Sequence, residues 1–511
     1  MERGPKRAAM RFAKQLCSLS PFFEVFVCQI YANSVQQDLS FGGARYIGTG
    51  RGFATARIPF GVLYSRFAGP SIYFGARLLM MLLFASATAW QPALTYFWIT
   101  LFGLTISPFL YNPHQFAWSD FFIDYRDFLR WLSRGNSRSH SSSWISFCRL
   151  SRTRITGYKR KVAGEASAKM SADVPRAAIA NIFFTEILTP LLFAAITVIP
   201  YLFINAQTGA ADDPKNEKEG ITPKATDSLV RVLIVAFAPI LVNFAVLGAM
   251  FFMACLMGPV LSMCCKKFGP VLAAIAHGFA AVMMLVFFEV MYALEGFVFA
   301  RALAGMIAVV AIQRFIFKLI VSLALTREFK TDQSNLAFWN GKWYSMGWHS
   351  VSQPAREFLC KVTELSMFAA DFILGHWLLF LMAPVILIPK IDTVHSMMLF
   401  WLRPSRQIRP PIYSMKQSKL RRRRVIRFAI VYFVLLVVFV ALVAGPVFAG
   451  KNGLSKVVKD MLKNDPGGFR LFQDPKVLQN NTNYEPTGAG ADKANAPAAS
   501  GDSGTSKIKL F

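Results

Sequence analysis

Charged side chains are scarce in this chain: they make up 16% of its 511 residues, against about 25% in ordinary soluble domains. Acidic groups number 28 against 56 Lys and Arg, and histidine occurs six times. So little charge argues against a conventional soluble enzyme. The seven cysteines form no CxxC pair and no Cys/His spacing of a zinc site, and their number is odd. A disulfide framework and a structural zinc are therefore not expected. The sequence also lacks a DxD triplet for a nucleotide-bound metal, an HExxH, a GxSxG and a P-loop. No metal site is expected, and no complete catalytic domain is visible.

What the chain has in place of charge is apolar bulk. Hydrophobic residues make up 54%, with 48 Phe and 20 Met, and the mean hydropathy is +0.40. These residues come in long blocks, and a bilayer is the solvent that accepts such blocks. About 20 apolar residues of helix cross the hydrocarbon core. Windows of that kind lie near 71–90, 93–111, 178–204, 229–257, 271–293, 302–326, 366–388 and 426–449. The expected fold is all-α, a polytopic integral membrane protein with about eight transmembrane helices plus interfacial amphipathic helices. Segment 17–32 contains Glu24 and Gln29 and has basic flanks, so it reads as interfacial or re-entrant. The basic N-terminus is not followed by a small-residue cleavage site and does not read as a signal peptide.

Net charge is +28, but its distribution matters more than its sum. Residues 112–176 carry twelve Lys/Arg against five acids, and 390–427 carry eleven against one. Basic loops of this kind face the cytosol. Nucleic acid is not an expected partner, since no aromatic-interleaved module accompanies the basic runs. Segment 206–228 has three Lys against five acids and is expected outside. The resulting division is a cytosolic or interfacial segment 1–70, a helix pair 71–111, a basic cytosolic loop 112–177, transmembrane helices 178–326, a cytosolic loop 327–365, transmembrane helices 366–449 with a basic loop 390–425, and an extracytosolic tail 450–511. The parity of crossings fails around 366–402, because the loops on both sides look cytosolic. Pro384 and Pro389 offer a break into half-helices there, although residues 391–402 make only about 18 Å of helix. The tail contains a single sequon at Asn480, and from about 483 it is too poor in apolar residues to fold.

Three groups of residues invite chemistry. In 116–136, a helical wheel at 100° per residue puts Trp118, Phe121, Phe122, Tyr125, Phe128, Leu129 and Leu132 on one face, an interfacial amphipathic helix. Asp120, Asp124, Asp127 and Trp131 share the opposite stripe, with Arg126 and Arg130 beside it. Carboxylates next to an exposed indole can bind sugar; equally, they can form a solvated face of i,i+3 and i,i+4 ion pairs with an interfacial Trp. In 42–60, Arg45, Gly48, Gly50 and Arg51 combine backbone N–H access with phosphate-binding forks, or else make a flexible connector. Within the expected spans lie Glu186, His277, Glu289, Arg314, Lys318, Asp371 and His376. Such groups line a polar path or pair between helices as structural glue.

The strings RYIGTGRGFATARIPF, NPHQFAWSDFFIDYRDFLRWLSRGN, SRTRITGYKRK, LTREFKTDQSNLAFWNGKWY and LFWLRPSRQIRPPIYS closely resemble the fungal 1,3-beta-glucan synthase catalytic subunit. The resemblance covers nearly the whole chain and fades in the tail. It implies a plasma-membrane glycosyltransferase that adds glucose from UDP-glucose, with no further cofactor, to a growing 1,3-beta-glucan and exports the polymer under a Rho-type GTPase. It also implies that this chain corresponds to a C-terminal region, with the glycosyltransferase domain N-terminal to it. Residues 127–131 read DxxRW and look like the QxxRW motif of other processive synthases, with Asp127 in place of Gln. On this reading Asp124, Asp127, Arg130 and Trp131 are expected near acceptor or polymer, and Arg45 and Arg51 near the diphosphate. The alternatives from other classes are a non-enzymatic channel or transporter, and a structural fragment that needs the missing domain.

Overall fold

A computed structural model describes residues 4–41, 58–112, 116–133, 144–148, 158–161, 171–174, 178–209, 225–264, 268–295, 299–325, 355–400 and 412–449. The protein is a predominantly helical, polytopic membrane protein, with seven helices among the described residues long and apolar enough to cross a bilayer. They are Phe60–Ser86, Ile179–Phe203, Ser228–Leu261, Phe268–Leu294, Phe299–Leu323, Phe358–Leu381 and Met415–Gly445. The eighth expected span, 93–111, is a shorter apolar helix, Leu94–Leu110. Its 17 residues give about 25 Å of rise.

In chain order the elements begin with α1 (Pro5–Cys17), α2 (Ser20–Phe41), α3 (Phe60–Phe67), α4 (Phe74–Thr88), α5 (Leu94–Leu110), α6 (Trp118–Ser133) and α7 (Trp144–Cys148). After α8 (Ile179–Ile182) follow α9 (Thr189–Gly209), α10 (Ala225–Cys264), α11 (Phe268–Leu294), α12 (Phe299–Leu325), α13 (Ala355–Leu381), α14 (Ala383–Ile386), α15 (Ile391–Phe400) and α16 (Met415–Ala449). The loop 112–177 also holds an antiparallel pair of four-residue strands, β1 (Tyr158–Lys161) and β2 (Ser171–Val174), in register Tyr158 to Val174.

Two cores hold the helices, and they differ in chemistry. Helices α10 to α13 pack on one another around small residues, among them Ala273, Ala280, Ala304, Ala308, Ala369 and Ala370. Small side chains let helix backbones approach closely, which is the main source of association inside lipid. Gly305 belongs to this interface, since an added Cβ would overlap the Met291 side chain. Asn243 donates to Ser366 at 3.0 Å, and Gln313 donates to the Ala236 carbonyl at 3.1 Å. The second core is aromatic: α3, α6, α13 and α16 meet through Tyr64, Phe122, Tyr125, Phe128, Trp131, His376 and Tyr432.

Two π-helical turns interrupt the spans at prolines. Ala68–Tyr73 contains Pro70 and joins α3 to α4, and Phe183–Leu188 lies just before Pro190 and joins α8 to α9. Proline lacks an N–H and crowds the carbonyl four residues back, and a π turn accommodates both. Each turn carries a side chain of the site described below, Tyr73 and Glu186.

The expected span 366–388 is displaced toward the N-terminus, because helix α13 starts at Ala355 and ends at Leu381. Hydropathy hides its first part, where Lys361 and Glu364 neutralise each other at 2.8 Å while buried. The chain turns at Met382, and Lys390, following Pro389, takes a left-handed conformation with φ 57°. The ten residues of α15 rise only about 15 Å, too little for a crossing.

Candidate functional site

The most connected polar group inside the membrane region is Asp371 on α13, which is 2% exposed. Its Oδ1 accepts from Tyr64 Oη at 3.0 Å, Tyr73 Oη at 2.5 Å and Arg314 Nη2 at 3.0 Å; its Oδ2 accepts from Trp144 Nε1 at 2.9 Å. The donors come from α3, the π turn, α12 and α7, so one carboxylate ties four segments to α13. The Arg314 guanidinium also lies over the Tyr73 ring at 3.4 Å. A carboxylate buried in hydrocarbon is tolerated only with such a set of partners.

Neighbouring polar groups repeat the pattern. Lys318 pairs with Glu186 at 2.5 Å across α12 and the second π turn. His376 Nδ1 lies 2.7 Å from the Phe372 carbonyl, and its Nε2 lies 3.1 Å from Tyr125 Oη. The carbonyl can only accept, so Nδ1 carries the proton and Tyr125 donates to Nε2. His277 Nδ1 contacts the Ala273 carbonyl at 2.6 Å, and the ring meets Phe368 edge-on. Glu289 is set apart from these pairs, with a buried Oε1 that has no hydrogen-bond partner among the described residues. A pair that hydropathy did not single out joins Glu295 to Tyr201 Oη at 2.6 Å and to Arg231 at 3.7 Å. Burial pushes the Glu295 carboxyl up, and the Tyr201 bond and Arg231 pull it back in part.

Asp371, Arg314, Glu186 and Lys318 border one cavity of about 910 Å³ between α4, α5, the second π turn with α9, α11, α12 and α13. Arg77 of α4 lies on the same wall. Among the described residues no group of three His, Cys, Asp or Glu side chains could hold a metal ion.

Helix α6 departs from its helical-wheel reading. Its apolar face packs on protein, against α3 and α16. Trp131 is 6% exposed and Asp124 2%, so neither belongs to an accessible polar stripe. The indole stacks on Phe128 at 5.8 Å, meets Tyr64 edge-on, and lies so close to Gly61 that an added Cβ would sit 3.3 Å from its ring. Asp127 and Arg130 remain partly exposed. Asp127 accepts from Arg126 at 2.7 Å and lies 3.8 Å from Arg130. Asp120 pairs with Arg421 and fastens α6 to α16. Burial pushes the Tyr125 hydroxyl above its usual range. Arg45, Gly48, Gly50, Arg51 and Asn480 lie outside the described residues.

Comparison with known proteins agrees with this architecture. The family model described as 1,3-beta-glucan synthase component matches residues 1–261. A 1,3-beta-glucan synthase component of Cordyceps militaris is 75% identical over all of this chain and 26% of its own length. The Aspergillus niger 1,3-beta-glucan synthase component FKS1 is 66% identical over 89% of this chain and 24% of its own length. The Schizosaccharomyces pombe 1,3-beta-glucan synthase component bgs2 is 54% identical over 94% and 25%. The chain thus spans about a quarter of the length of the curated relatives it matches. With half of its residues under the family model and its multi-span helical bundle, the chain belongs to the 1,3-beta-glucan synthase component family.

Proposed function

We propose that this chain supplies the membrane part of a plasma-membrane 1,3-beta-glucan synthase. The whole enzyme transfers glucose from UDP-glucose to a growing 1,3-beta-glucan and passes the polymer outward. The observation that carries this reading is chain-wide identity to synthase components in a bundle of seven apolar spans. In the reaction, a carboxylate takes the proton of the acceptor 3-hydroxyl as that oxygen attacks the sugar carbon and UDP departs. We assign that base to no residue of this chain. Its bundle instead frames the exit side, with Asp127 and Arg130 on the accessible edge of α6 as polymer contacts and Arg45 and Arg51 near the diphosphate. A Rho-type GTPase acts on the assembled enzyme.

The test is complementation in membranes lacking endogenous synthase. The chain alone, once shown to be inserted, is expected to incorporate no labelled UDP-glucose into alkali-insoluble 1,3-beta-glucan. Co-expression of the N-terminal glycosyltransferase part restores incorporation. If an inserted chain and a folded N-terminal part, each verified, give no polymer together, the reading is wrong.

A further inference from the structure

The cavity of about 910 Å³ has a charge balance that the described residues do not close. Three cations, Arg77, Arg314 and Lys318, face two carboxylates, Glu186 and Asp371. The carboxylates are taken by Arg314 at 3.0 Å and Lys318 at 2.5 Å. Among the described residues no carboxylate pairs with Arg77, whose guanidinium lies over the Phe193 ring at 4.0 Å. A cation resting on a ring face keeps its in-plane N–H groups directed outward, in the fork that suits a phosphate. An intramembrane guanidinium without a counter-ion is costly, so an anion is the expected complement.

The remaining wall describes the rest of the ligand. Apolar side chains such as Leu101, Met306, Val310 and Phe315 dominate it. Four threonines are present, but Thr185, Thr189 and Thr197 each return the hydroxyl to a carbonyl of their own chain segment at 2.7 Å. A glucan needs hydroxyl partners along its length, and this wall offers few. Hydrocarbon fits it instead. The lining includes Phe102 and Leu381, both well exposed, so the cavity is open at its edge rather than sealed.

Depth agrees with this chemistry. Arg77 lies nine residues from the Ser86 end of its span, about 14 Å of helix, and this 27-residue span exceeds the roughly 30 Å hydrocarbon core, so a headgroup drawn in from that face reaches it. We propose that the cavity is a binding site for an anionic phospholipid, with its phosphate on Arg77 and its acyl chain along the apolar wall. The proposal does not depend on the synthase reading.

The full chain is reconstituted in phosphatidylcholine nanodiscs containing a trace of phosphatidylserine with a photoactivatable acyl chain, or the same probe on phosphatidylcholine. Cross-linked peptides are then mapped by mass spectrometry. The phosphatidylserine probe is expected to label α12 and α13 at least about fivefold more than its phosphatidylcholine counterpart, the preference one basic contact gives. Arg77→Gln removes that preference, Arg77→Lys keeps most of it, and Ala311→Phe, which narrows the cavity, reduces labelling by both probes. Equal labelling by the two probes overturns the proposal, as does unchanged preference in monodisperse Arg77→Gln. If Arg77→Gln does not fold, unchanged labelling in Ala311→Phe overturns it. Loss of labelling on adding inorganic phosphate would assign Arg77 to a soluble anion and overturn it too.

Discussion

Replacing Asp371 by Asn is the sharpest perturbation of the polar hub. The change keeps the shape of the side chain but removes its charge and half of its acceptor capacity. With the amide oxygen toward Tyr64, Tyr73 and Arg314, the new NH₂ confronts the Trp144 N–H, 2.9 Å from the present Oδ2. In the flipped orientation it confronts the other three donors. Neutral hydrogen bonds between membrane helices average about 0.6 kcal/mol, so the tyrosines and the indole together account for about 2 kcal/mol. Arg314 sets the total, because its guanidinium loses its counter-ion, and breaking one side of a buried pair, its hydrogen bonds included, costs about 3–5 kcal/mol. Asp371→Asn is therefore expected to destabilise by about 3–5 kcal/mol, measured as unfolding of the chain in mixed micelles titrated with denaturing detergent.

A double-mutant cycle separates the charge from the shape. Asp371→Leu alone strands the guanidinium, whereas Asp371→Leu with Arg314→Met removes both charges. Replacing a whole buried pair by apolar residues is often neutral or stabilising. The double variant is expected to regain at least about 1 kcal/mol over Asp371→Leu. Asp371→Asn within about 1 kcal/mol of the parent, or strictly additive single effects, would refute the bracing role of this pair.

Trp131→Ala empties a packed site beside Phe128 and Tyr64 and is expected to cost about 3–5 kcal/mol; in a full-length synthase, folded protein and polymer synthesis fall in parallel, which quantitative immunoblotting with a synthesis assay checks. Gly375→Ala places a methyl against the Phe128 ring and is expected to destabilise by about 1–3 kcal/mol in the same unfolding titration. His395, 2.7 Å from the Leu110 carbonyl, has its pKa lowered chiefly by burial. Its neutral form is favoured in the folded chain, so its contribution is full above the unfolded value of about 6.5 and is lost as pH falls below it; His395→Gln should flatten the stability–pH curve there. Arg421→Ala, which breaks a partly exposed pair with Asp120, is expected to cost no more than about 1 kcal/mol in the same assay.

Long apolar runs and basic loops made the membrane architecture legible in the sequence, because bilayer thickness and the desolvation of backbone groups impose a strong pattern. The start of α13 was hidden because Lys361 and Glu364 lower local hydropathy while cancelling each other inside the fold. The ionisable positions Glu186, Arg314, Lys318 and Asp371 were also legible, since charge inside a span is rare enough to mark itself. Their partners were not. Tyr64, Tyr73 and Trp144 read as part of the general aromatic content, and only tertiary packing brings them to one carboxylate. Arg77 fell inside a window read simply as apolar.

Helix α6 shows where a helical wheel stops being informative. An interfacial helix buries an apolar stripe somewhat over 100° wide, and Phe121, Phe122, Tyr125, Phe128 and Leu132 fit such a stripe. At about 100° per residue, Trp131 and Asp124 lie roughly 40–60° beyond Phe128, on ground the wheel assigns to water. The structure buries both, extending the covered arc to about half the helix circumference. The cause lies outside α6: lipid covers one side of a surface helix, whereas α3 and α16 clasp it from two directions. Gly61 lets α3 come close enough for the indole to lie against its backbone. The sugar-stacking reading required a free indole face, and the neighbouring helices occupy that position. A polar stripe inferred from one helix thus depends on how many partners the helix has, and for α6 the accessible part reduces to the edge of Asp127 and Arg130.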